Sequence, residues 1–132
     1  MQTSTFLRNV LKLDAAACLG MAALILPAAG LLSEPLGIDA PALRGAAAAL
    51  IPIGLVILWL GTRRDAPAGL IWLVVIGNVG WTLASLAAAA ALPTITALGQ
   101  AAVAGQGLIV LAVAAAEWVG LRTSADTEWA NA

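Results

Sequence analysis

The polar side chains that interrupt the long apolar stretches of this chain are few enough to weigh one at a time. Asn78, Trp81, Thr82 and Ser85 stand at offsets of three, four and seven residues, which puts all four on one helix face. Gln106 and Glu117 are eleven apart, about three helical turns, and share a face of another helix. In hydrocarbon such groups turn toward protein and away from lipid, so they mark inward faces. Two chemistries fit them: a hydrogen-bonded clasp between helices, worth about 0.6 to 2 kcal/mol, or a position for a polar substrate or ion. Counted from a turn at Pro93, Asn78 and Gln106 sit at similar depth, and the expectation is that they meet. Asp14 and Glu117 are acids that directly border the apolar stretches. Their neighbours in sequence predict ion pairs at one membrane interface with Arg8, Arg63, Arg64 and Arg122; a proton-coupled role would need one acid to lie deeper. Cys18, one turn after Asp14, reads as a small buried apolar residue.

The elements that position these groups follow from composition. Of 132 residues, 62% are hydrophobic and 10% charged, with a mean hydropathy of +1.00. A soluble domain carries about 25% charged residues, so this chain lacks the polar surface to face water all round. The net charge of -1 excludes a nucleic-acid binder. With no His and one Cys, no metal centre or disulfide is expected.

A spanning helix needs about 20 predominantly apolar residues. Ala15 to Ser33 runs 19 residues without charge and Gly45 to Thr62 runs 18, one span each. Ala66 to Ala116 is 51 uncharged residues, more than twice what a bilayer accommodates, and must fold back at Leu92-Pro93-Thr94-Ile95-Thr96. The expected fold is therefore an all-α membrane protein: four transmembrane helices in an up-down-up-down bundle. The helices are placed at about 13–33, 42–61, 67–91 and 95–121, forming a single domain over 1–122, with 123–132 a mobile polar tail. Asp39 and Asp65, each followed by Pro two residues on, are candidate N-caps for helices two and three. The rival reading of the first stretch is a cleaved signal peptide, with Arg8 and Lys12 as its basic region.

Five of the six cations, Arg8, Lys12, Arg63, Arg64 and Arg122, fall at the end shared by both termini, which the positive-inside bias makes cytoplasmic. Trp59, Trp72 and Trp118 fall near that end too, where amphipathic indoles belong.

Arg8 with Leu13-Asp14-Ala15, Leu36-Gly37-Ile38, Leu43-Arg44-Gly45, Asn78 with Trp81, Ala97-Leu98-Gly99, Gln106, and Glu117 with Gly120-Leu121-Arg122 together resemble a widespread group of small bacterial four-helix integral membrane proteins of no established activity. The resemblance spans Arg8 to Arg122. It implies a bacterial cytoplasmic membrane and makes Asp14, Asn78 and Glu117 the first positions to test. No nucleophile with an adjacent base, metal cluster or phosphate-cradling loop is visible, so no catalytic residue and no cofactor is expected. The leading expectation is a non-enzymatic interaction or accessory subunit, its partners being the lipid bilayer and either another membrane protein or further copies of the chain. The alternative is a small transporter or channel formed by oligomerisation around Asn78 and Gln106.

Overall fold

The computed structural model describes residues 1–132 and contains four helices: α1 (Thr5–Leu36), α2 (Ala40–Thr62), α3 (Ala68–Ala91) and α4 (Ala97–Ala130). Each is long and apolar enough to cross a bilayer, and no strand is present. The chain is a small multi-pass membrane protein by fold.

Two helices outrun their uncharged cores. α1 begins at Thr5 instead of near 13, because Ser4 caps it: the Ser4 hydroxyl accepts from the Leu7 amide at 3.1 Å. Leu7, Leu11, Ala15, Ala22 and Ala29 then make a buried seam at spacings of four and seven, while Lys12 keeps to the exposed side. α4 continues to Ala130, through the segment expected to be a tail. No Gly or Pro follows Gly120 to stop it, and the hydroxyls of Thr123, Ser124 and Thr127 donate to carbonyls one turn earlier. Asp39 stands at the N-cap position of α2, followed by Pro41 in the first turn, but its side chain makes no capping hydrogen bond. Asp65 does not cap α3, which starts after Pro67; its carboxylate instead meets the Met1 ammonium at 3.1 Å.

Both termini share one end of the molecule, since the Ser4 amide donates to Ser124 and Thr3 bonds the carbonyls of Arg63 and Arg64. We call this the basic end. At the opposite end, α1 closes with Gly37 in the left-handed conformation (φ 68°), where a Cβ would strike the Thr94 carbonyl. The hydroxyls of Thr94 and Thr96 donate to the carbonyls of Gly37 and Pro35, so the turn at Pro93 satisfies the last groups of α1.

Packing is uneven around the bundle. α1 packs along α2 and against α4, and α3 packs along α4, but α2 and α3 do not pack on one another comparably. The circuit α2, α1, α4, α3 thus has an open side. Near the basic end Leu7, Leu11, Ile57, Leu60, Ile71 and Leu121 form a dry layer, with Leu7 seated directly on Gly120. The seam of α3 is a strict alternation of three and four: Ile71, Val75, Asn78, Thr82, Ser85 and Ala89 are all buried.

Candidate functional site

Asn78 lies ten residues into α3, about 15 Å from its start in a helix of about 36 Å, and therefore near mid-depth. Its side-chain amide nitrogen donates both hydrogens, one to Asp14 Oδ2 on α1 at 2.9 Å and one to Glu117 Oε2 on α4 at 3.0 Å. Three helices thus meet at one amide. Asp14, Asn78 and Glu117 are 3%, 7% and 0% exposed, so the cluster is buried in the bundle, with Asp14 and Asn78 at the edge of an adjoining cavity. The Cys18 thiol points at the remaining Asp14 oxygen over a long 3.8 Å, and Glu117 Oε1 has no partner.

This arrangement departs from both sequence expectations. Asn78 and Gln106 do not bond to one another. Helical side chains lean toward their own N-terminus, and α3 and α4 are antiparallel, so Asn78 leans toward the basic end and Gln106 away from it. The same lean brings Glu117 up to Asn78 from one to two turns below. Gln106 is held elsewhere: its carbonyl accepts from the Trp81 indole at 3.0 Å, and its amide donates to Ser85 at 2.7 Å and to the Val103 carbonyl. Thr82 donates to the carbonyls of Asn78 and Gly107. A clasp between α3 and α4 therefore exists, built from Trp81, Thr82, Ser85 and Gln106, with Asn78 belonging to a different site.

The expected interfacial ion pairs do not form either. Asp14 and Glu117 touch none of Arg8, Arg63, Arg64 or Arg122, and Met1 with Asp65 is the one ion pair in the structure. Arg63 and Arg122 lie over the rings of Trp59 and Trp118 at 4.6 and 5.1 Å, each such contact contributing about 0.5 to 1 kcal/mol. Arg8 donates to the Thr3 carbonyl and to Thr5. The acids are too deep for these cations: with α1 starting at Thr5, Asp14 lies nine residues inside the helix, about 14 Å along it.

Above the cluster, on the open side between α2 and α3, lies a cavity of about 430 Å³. Ile53 and Val56 of α2 and Leu73 of α3 form its walls; Asp14, Cys18 and Trp81 are among the residues at its base. The dry layer of Leu7, Leu11 and Leu121 separates the acids from the basic end.

Counting donors shows what the cluster lacks. Two carboxylates present four oxygens, whereas the amide supplies two hydrogens and the thiol one weak one. With both carboxyls ionised the site is short of a donor, a need that one proton held between them meets, in surroundings where an unmet carboxylate is expensive. The residues present do not form a metal-binding group. Comparison with protein-family models, with curated proteins and with solved structures finds no match.

Proposed function

We propose that this chain is a small multi-pass membrane transporter in which Asp14, Asn78 and Glu117 form the intramembrane coupling site for a proton or another monovalent cation. The observation that carries this reading is the fully buried Glu117 with one oxygen unpartnered, joined through Asn78 to a second acid at mid-depth, with no basic side chain beside either. A cluster that served only to tie helices together would be met as well by neutral partners, as the Trp81, Ser85 and Gln106 network illustrates. Acids inside a membrane mark ion and proton pathways, because their desolvation is worth enduring only when their charge is used. The concentration of Arg and Lys at the basic end supports a cytoplasmic placement of both termini, in keeping with a bacterial inner membrane.

The test is proton flux into vesicles. The purified chain is reconstituted with a pH-sensitive dye inside, and an inward proton gradient is applied with potassium and valinomycin clamping the potential. The wild type should dissipate the gradient faster than protein-free vesicles, and Glu117→Gln should return the rate to that background, while Leu31→Ala, on the lipid-facing side, should not. Wild-type proton flux at the background rate, or an unaffected Glu117→Gln, would refute proton coupling at this site.

A second reading, the accessory subunit, draws support from the open side itself, where Ile53 and Leu73 are 43% and 64% exposed without a facing helix. Cysteine placed at either position should then crosslink in native membranes to a fixed neighbour or to another copy of the chain.

A further inference from the structure

The cavity between α2 and α3 can be characterised by the hydrogen bonds its base has left to offer. Asn78 has committed both amide hydrogens to Asp14 and Glu117. Trp81 has committed its indole N–H to Gln106, whose own amide is spent on Ser85 and Val103. The Cys18 thiol is turned toward Asp14. Every donor at the base is therefore engaged. What remains available is acceptor capacity: the Asp14 carboxylate, which attracts positive charge, with the Trp81 side chain also lining the cavity.

Three ligand classes separate on this ground. An anion would meet Asp14 with no Lys or Arg among the lining residues to offset it. A neutral carbonyl compound such as a quinone would find no free donor. A cation with an apolar body meets both requirements, its charge at the carboxylate and its body against Ile53, Val56 and Leu73. A small hydrated inorganic ion would fill neither the volume nor the apolar walls.

We propose that this cavity binds a lipophilic organic monocation of the alkyl- or arylammonium class, its charged head against Asp14 beside Trp81 and its apolar part between α2 and α3. The proposal rests on the reading of Asp14, Asn78 and Glu117 as an ion site, and names the substrate of that site. Glu117 lies behind Asn78 and does not line the cavity, so the ligand's charge meets Asp14 alone.

The probe is radiolabelled benzyltrimethylammonium, equilibrated with the full chain in micelles by dialysis, with protein-free micelles subtracted. Unlabelled benzyltrimethylammonium should displace it, and neopentylbenzene, the same shape without the charge, should not. Asp14→Asn should weaken binding by about tenfold or more. A second variant guards against misfolding: Gly77 lines the cavity and a Cβ there meets nothing within 4 Å, so Gly77→Leu adds apolar bulk at the cavity and should weaken binding by about tenfold or more while helical content is unchanged. Displacement by neopentylbenzene as effective as by the cation, or wild-type affinity in both variants, overturns the proposal. Absence of binding in a wild-type protein that still shows Glu117-dependent proton flux overturns the substrate and leaves the coupling site standing; binding as described without flux does the reverse.

Discussion

Asn78→Leu removes the one group that joins α3 to both α1 and α4 through side-chain hydrogen bonds at mid-depth. Its magnitude can be worked from the two bonds lost. Interhelical hydrogen bonds in membranes average about 0.6 kcal/mol with an upper value near 1.7, so the pair contributes about 1 to 3 kcal/mol. Leu has the branched shape of Asn but is larger, and overpacking at this buried seam adds up to about 1 to 3 kcal/mol of its own, which the comparison in a second background cancels. The distinctive part is what the substitution leaves behind, because Asp14 Oδ2 and Glu117 Oε2 lose their only donor while buried. The loss should therefore shrink when an acid is removed with it: in a Glu117→Leu background, Asn78→Leu should be about 1 kcal/mol less destabilising than in the wild type. Reversible unfolding in mixed micelles, titrated with sodium dodecyl sulfate and followed by circular dichroism, measures all four corners of that cycle. A loss below about 0.5 kcal/mol for Asn78→Leu alone, or additivity within that margin, would refute the bridging role of the amide.

Other consequences are simpler. Gly120→Val places a side chain 3.0 Å from the Leu7 Cβ and 3.2 Å from its Cα, and should destabilise by about 1 to 3 kcal/mol in the same titration. Gly105→Ala, where a Cβ meets nothing within 4 Å, should be neutral or stabilising by up to about 1 kcal/mol. Gln106→Leu leaves the Trp81 indole N–H without its partner and should cost about 1 kcal/mol; tryptophan side-chain NMR should show the Trp81 N–H resonance moving, and an unmoved resonance would contradict the bond. In a Cys18→Ala background, Thr94→Cys should label with an impermeant thiol reagent from outside the cell, whereas Thr62→Cys and Asp126→Cys should label only after lysis; all three positions are exposed, and the opposite pattern would invert the orientation.

Much of the architecture was legible because hydrocarbon imposes a one-dimensional rule. Where charge is absent for about 20 residues a helix crosses, and where it is absent for 51 the chain turns, so four spans and the turn at Pro93 follow from counting. The inward face of α3 was legible too: Asn78, Thr82 and Ser85 share a face by spacing, and all are buried. The start of α1 was not, because Arg8 and Lys12 interrupt the apolar run there. Once Ser4 caps the helix, Leu7 and Leu11 continue the buried seam while Lys12 stays exposed. That single shift carries Asp14 from an interface into the interior.

The order of amino acids by itself settled that lipid surrounds this chain, how many times the chain crosses, and which face of α3 turns inward, since each depends only on the distribution of polar groups along one strand of sequence. Which polar groups meet was decided by tertiary structure alone. Whether Asn78 finds Gln106 or Glu117 depends on the relative rise of two antiparallel helices and on the lean of side chains toward each helix's N-terminus, and the open side between α2 and α3 depends on which helix faces α1 has already occupied. Those are properties of pairs of helices in space, and no periodicity within one helix encodes them.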